Sequence, residues 1–226
     1  MLLGNSKSLI IVPIFVAHEW WGNKISVRDW ADFWIHEGFG VWTEAAYVLD
    51  TQGEARYLEY MGEVRGRIRN AEPIIQGENL TSAAAYTGDI YTKGAWVVHT
   101  LRWLLGPEVF DEAVWRFLND DRFAYRTVTT ADLEGVVAEV SGRDDLRWFW
   151  DRYLRRADPP RWSMNRTDDL LVLAWDDPAF EMPLPVRIGD RIVRVDMPRG
   201  IAELDVPADM VVEVDPEGRV LAEAAE

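Results

Sequence analysis

His18-Glu19-Trp20-Trp21-Gly22-Asn23, followed by Trp34-Ile35-His36-Glu37-Gly38-Phe39, is the stretch on which the reading of this chain turns. Eighteen residues lie between His18 and Glu37, the span of a helix, a turn and a second helix folded back on the first. The first helix is expected over 16–23, apolar nearly all round and therefore buried, ending at Gly22-Asn23, a pair suited to a left-handed cap. Ser26, with Asp29 three residues on, has the form of a capping box. Beyond it Trp30, Phe33, Trp34, Glu37, Val41 and Glu44 recur at spacings of three and four, which predicts a second helix to about Leu49 with aromatics and acids on one face. Such a pair of helices can bring a histidine and a carboxylate onto one metal ion.

Downstream, the pattern predicts a third helix over 54–70, with Tyr57, Met61, Val64 and Ile68 on its apolar stripe. The segment 71–89, punctuated by Pro73, Gly77, Asn79 and Gly88, reads as a loop long enough to suggest a functional one. Further helices are expected over 95–105, stopped by Gly106-Pro107, then over 108–118, 131–140 (with Thr129 and Thr130 as candidate caps) and 144–156. At Asp158-Pro159-Pro160 the texture changes to short alternating runs at 170–173, 184–188, 191–195 and 210–214, with Gly189-Asp190 placed as a hairpin turn. The fold class is therefore α+β: a helical domain over 1–160, then a small antiparallel β domain over 161–226, a sandwich in which no residue suggests catalysis.

The composition fits that outline. Of 226 residues 48% are hydrophobic and 28% charged, enough apolar mass for a core, and the twelve tryptophans are read mainly as helix packing. A net charge of −15 disfavours nucleic acid and anionic lipid as partners. With no cysteine, disulfides and thiolate metal sites are excluded, and redox chemistry gives no compartment. The apolar run at 9–17 has something of a signal-peptide core. Cleavage before His18 would strip the hydrophobic approach to the first helix, and the run is too short to span a bilayer. A soluble protein with no membrane span is expected, the cytoplasm slightly favoured; oligomeric state is not legible.

A catalytic zinc takes three protein ligands at about 2.0–2.2 Å and keeps a fourth position for water. His18 and Glu37 supply two. The natural third, one turn before His18 on the same face, is position 14, an isoleucine, and the next position, where the His-Glu-x-x-His helix of zinc peptidases carries its general base, is Phe15. Starting that motif at His18 fails too, because position 22 is Gly22. His36, turned about 100° from Glu37, and His99, inside an apolar stretch, read as packing or surface histidines.

Taken together, His-Glu-Trp-Trp-Gly-Asn, Trp-Ile-His-Glu-Gly-Phe with its glutamate nineteen positions after the histidine, and Ala-Tyr-Thr-Gly-Asp-Ile-Tyr-Thr-Lys-Gly around Tyr86 and Tyr91 resemble peptidase family M1, the zinc aminopeptidases that include aminopeptidase N and leukotriene hydrolase. The resemblance covers about 12–157 in motif order and spacing. It implies a mainly helical, thermolysin-like catalytic half-domain, a gluzincin metal site and a peptide substrate cleaved by a zinc-activated water. Carried over by position, His18 matches the second histidine ligand of Zn2+, Glu37 the carboxylate ligand and Tyr91 the tyrosine that stabilises the oxyanion. Glu44, two turns beyond Glu37, matches a residue orienting a ligand histidine from outside the coordination shell, with a plain salt bridge as the alternative.

Against the family pattern, Ile14 and Phe15 stand at the first-ligand and general-base positions. The Gly-x-Met-Glu-Asn segment that grips a substrate's amino terminus, and the large amino-terminal β domain, are absent. The expectation is a truncated family member, its carboxy-terminal part, with zinc binding weak or absent and activity impaired. The alternative is a non-catalytic relative that serves as a peptide-binding or assembly module.

Overall fold

The computed structural model describes residues 16–225; Ile14, Phe15 and most of the apolar approach lie outside them. The described residues open with Val16 and Ala17 in helix, after which the backbone unwinds. Asn23, Lys24 and Ile25 donate their amides to the carbonyls five residues back, at 3.0, 3.1 and 2.9 Å. The helix expected to reach Asn23 therefore ends near His18. Trp21 stacks on Phe39 with ring centroids 4.2 Å apart and holds this opened turn, and Gly22 turns the chain at φ 147° into strand β1, Ile25–Val27.

Ser26 lies within β1 and donates its hydroxyl to the Gly22 carbonyl at 2.6 Å. The cap belongs instead to Asp29, whose carboxylate accepts from Ala31 at the head of a 3-10 turn, Trp30–Asp32. Helix α1, Trp34–Gln52, follows directly. Next come α2 (Glu54–Arg65), α3 (Ser82–Ala85), α4 (Asp89–Leu105), α5 (Pro107–Asn119), strand β2 (Arg126–Val128), α6 (Thr130–Ser141) and α7 (Arg147–Leu154). Helix α2 is shorter than its apolar stripe suggested, and α4 begins at Asp89, six residues before the expected start, so that Tyr91 lies in its first turn. β1 and β2 pair in parallel, Ile25 with Arg126 through Val27 with Val128. Thr129 and Asp132 form a capping box at the head of α6, and Thr130 binds Asp32 through its amide (2.9 Å) and hydroxyl (2.7 Å) while accepting the Trp34 indole N–H at 2.9 Å.

The remaining strands are β3 (Arg161–Thr167), β4 (Leu170–Trp175), β5 (Leu184–Ile188), β6 (Arg191–Val195), β7 (Ile201–Asp205), β8 (Val212–Val214) and β9 (Glu223–Ala224). They make a four-stranded sheet in the order β7-β4-β3-β9 and a three-stranded one in the order β6-β5-β8. Every pair in them is antiparallel except the short β9, which runs parallel to β3. Gly189, at φ 57°, turns the β5–β6 hairpin. Period-2 alternation buries Leu171, Leu173 and Trp175 on one face of β4. Of these, Leu173 and Trp175, with Phe180, Leu184 and Val186, join the same apolar core as the helices. Polar contacts tie the two parts: His99 Nε2 donates to the Gly218 carbonyl at 3.0 Å, Leu221 N–H to Thr100 at 3.2 Å, and Arg219 pairs with Glu54 at 2.7 Å. The fold is α+β.

Candidate active site

The site is assembled at the opened turn and at the first turns of α1 and α4. His18 is held by its own local structure, since Nδ1 lies 3.0 Å from the Trp21 carbonyl. A carbonyl only accepts, so Nδ1 carries the proton, and in the neutral ring Nε2 keeps its lone pair. That lone pair looks toward Glu37, with Nε2 3.9 Å from Oε2. This backbone anchor on the far nitrogen is the arrangement that fixes the tautomer of metal-binding histidines.

Glu37 comes from the first turn of α1 and is buried, 7% exposed. Burial pushes its carboxyl above the usual range, while a charge on His18 and a hydrogen bond from Tyr91 pull the other way. Tyr91 comes from α4 and is half-buried. Burial, then the charges of Glu37 and Tyr86, push its phenol up to about 12. The hydroxyl therefore stays protonated at neutral pH and can only donate to an anion. His18 and Tyr91 thus both face the carboxylate of Glu37.

Glu44 is placed differently. Its carboxylate accepts the Tyr60 hydroxyl at 2.6 Å, across to α2, and burial raises it, opposed by Tyr60 and Arg67. Among the described residues its hydrogen-bond partner is that phenol and not a histidine. His36 donates to the Ile25 backbone, burial lowers it to about 4 with a smaller contribution from the charge of His18, and its Nε2 is buried without a partner among the described residues.

A neighbouring feature is only half visible in the sequence. Trp30, Phe33, Tyr86 and His36 form one aromatic surface, with centroids 4.8 Å apart for Trp30 and Phe33 and 5.0 Å for Phe33 and Tyr86. Trp30 and Tyr86 remain 40% and 52% exposed. Trp30 and Phe33 are visible as an aromatic face; Tyr86 joins them from the long loop, and no local periodicity announces that contact. A cavity of about 750 Å³ beside the 3-10 turn is lined by Arg28, Asp29, Asp32, Thr130 and neighbours but by none of His18, Glu37 or Tyr91. It is separate from this chemistry.

Among the described residues no three His, Cys, Asp or Glu side chains gather to hold a metal. The donors present, one imidazole and one carboxylate, fall a ligand short of a catalytic zinc centre.

A family model described as the Peptidase family M1 domain matches residues 9–153. The chain belongs to peptidase family M1. Among curated relatives, this M1 chain is 28% identical over 167 residues to Aminopeptidase M1-C of Oryza sativa subsp. japonica, covering 63% of the chain and 17% of that protein. It is 25% identical over 176 residues to Aminopeptidase N of Lactococcus lactis subsp. lactis, covering 73% of the chain and 20% of that protein. Among solved structures it resembles Legionella pneumophila aminopeptidase A, crystallised in complex with aspartic acid, with a TM-score of 0.77 and 18% identity over 96% of this chain and 27% of that one. At that identity the likeness establishes the fold. The M1 chain spans about a fifth of the length of these relatives, and among its described residues no helix is long and apolar enough to cross a membrane.

Proposed function

We propose that the chain carries the second-histidine, carboxylate and oxyanion-stabilising part of a zinc aminopeptidase site, that His18 and Glu37 are the metal-facing pair, and that the chain as it stands binds zinc weakly and turns over peptide poorly. The observation that carries this reading is the convergence on one buried carboxylate of His18 Nε2, at 3.9 Å, and the Tyr91 hydroxyl. In the proposed role Tyr91 presents a protonated phenol to the charge that develops on a scissile carbonyl oxygen, a donor aimed at the anion and not at the ground state. His18, fixed by the Trp21 carbonyl, keeps its free nitrogen on the same face. Zinc, in the complete sites of the family, supplies the Lewis acid and the activated water. Because the donors here are one short and Phe15 stands at the general-base position, no step is assigned to a metal in this chain. Residues 1–160 make the catalytic portion in this reading, and 161–226 a β domain docked on it.

The test is metal analysis of the purified protein together with hydrolysis of an aminoacyl anilide. Well under one zinc per chain and negligible turnover are expected; stoichiometric zinc with robust turnover overturns the impairment. Replacing Ile14→His and Phe15→Glu together is expected to raise zinc content toward one per chain, and His18→Ala in that background to abolish the gain. No rise in metal would mean that position 14 does not share a face with His18. The second reading, a non-catalytic peptide-binding or assembly module, draws support from the same two-donor site and from the open aromatic surface at Trp30 and Tyr86. Calorimetric titration with short peptides distinguishes it: micromolar binding without hydrolysis favours the module.

A further inference from the structure

Helices α1 and α4 cross where neither has a side chain. Gly38 follows Glu37 directly, and Gly94 lies three residues after Tyr91, the spacing that puts residues on one helix face. A Cβ built on Gly38 would lie 2.9 Å from both the Cα and the carbonyl carbon of Gly94, and one built on Gly94 would lie 3.0 Å from the Cα of Gly38. The atoms met are backbone, so no rotamer change relieves them. We infer that Gly38 and Gly94 are positioning residues of the candidate site, their backbone contact setting the separation at which Glu37 and Tyr91 meet. This rests on the reading of Glu37 and Tyr91 as site residues.

Glycine weakens a helix interior relative to alanine, so two of them at one crossing serve the crossing. Carbon atoms in ordinary contact sit about 3.5–4.0 Å apart; restoring that distance after a Gly→Ala change moves the helices apart by about 0.5–1 Å. The approach of the Tyr91 hydroxyl to Glu37, which spans the same crossing, opens by a comparable step. Helix α4 has little freedom to slide instead, because Lys93, 1% exposed, ties the neighbouring residue of the same turn to the carbonyls of Arg156 and Ala157 at 3.0 and 2.8 Å. By contrast, a methyl group added at the helical glycines Gly62 or Gly135 would meet nothing within 4 Å, and these two serve as controls.

The full chain labelled with 3-fluorotyrosine gives a fluorine resonance for each of seven tyrosines, and Tyr91→Phe identifies that of Tyr91. In the unaltered chain, Glu37→Gln is expected to move the Tyr91 resonance, which reports their contact. In the Gly38→Ala or Gly94→Ala background the same Glu37→Gln change is expected to leave it in place, while in the Gly62→Ala background the movement is retained. All variants are read in trimethylamine N-oxide, an excluded osmolyte that favours the compact state, so that lost stability is not mistaken for lost contact. If Glu37→Gln fails to move Tyr91 even in the unaltered chain, the reading of the site fails. If it moves Tyr91 equally in both glycine variants, or if the Gly62→Ala control also loses the response, the positioning role is overturned while the site stands. Failure of both variants to fold in the osmolyte also counts against it, since the inference requires a core that tolerates the step.

Discussion

His99 reads from its apolar surroundings as a packing residue, and the structure gives it a polar task as well. Trp42 donates its indole N–H to the Tyr57 oxygen at 3.4 Å, the Tyr57 hydroxyl donates to His99 Nδ1 at 2.6 Å, and Nε2 donates to the Gly218 carbonyl at 3.0 Å. The chain of donors requires the neutral ring, and burial lowers its pKa from 6.5 to about 4. Between those values the unfolded chain binds a proton that the folded one refuses, so this residue makes stability fall as pH drops from about 6.5 to about 4. The full effect is about 3 kcal/mol at 1.36 kcal/mol per unit. Glu37, Glu44 and Asp215, raised by burial, act with the opposite sign, so the comparison must be with His99→Gln. The urea-unfolding free-energy difference between wild type and that variant should slope by about 1.4 kcal/mol per pH unit inside the window. A difference flat with pH would show that His99 already titrates normally. Type and spacing pointed to His18 and Glu37 as candidates, and the family resemblance to Tyr91. Residue chemistry was not legible for the Gly218 carbonyl or the Tyr60 phenol on Glu44, because backbone acceptors and partners from other helices leave no mark on local sequence.

Elements followed their periodicity where one face met one core. Helices α1, α5 and α6 stand within a few residues of expectation because their apolar positions recur at three and four, and α6 is also set by the capping box of Thr129 with Asp132. Helix α4 begins at Asp89, earlier than expected, with Gly94 inside it where its backbone meets that of Gly38. β1 and β2, three residues each, leave no local signal because a parallel pair joins segments that no short window contains. β3 and β7, with weakly alternating burial, offer little pattern either. At this scale the joint between the 3-10 turn, α1 and α6 gives a clear expectation. Thr130→Val keeps the shape but strands the buried Trp34 indole N–H and removes a donor from Asp32. It should lower stability by about 1–3 kcal/mol, the cost of an unsatisfied buried group. Thr129→Ala, which removes only a part-buried cap, should cost about 1 kcal/mol. Thermal melts that show Thr130→Val to be as stable as wild type would contradict the joint.

Across the whole molecule the helices and both sheets share one apolar core, with Trp96 and Trp175 in the same cluster and Val220, Leu221 and Ala222 closing it. A shared core favours a single cooperative transition. Heat capacity and tryptophan fluorescence should therefore report one coincident unfolding event, and two separated transitions would mean that the β part unfolds on its own. The parallel pairing of Ile25–Val27 with Arg126–Val128 reaches further than stability. The two strands lie about a hundred residues apart, and at about 5–20 residues per second of synthesis the second emerges from the ribosome roughly 5–20 s after the first. Until then strand β1 has no partner edge, and the segment with His18 rests on α1 through the stacking of Trp21 on Phe39. The strand next to the opened turn that carries His18 thus gains its partner only when residues 126–128 have been made, after α1 and α4 can already meet.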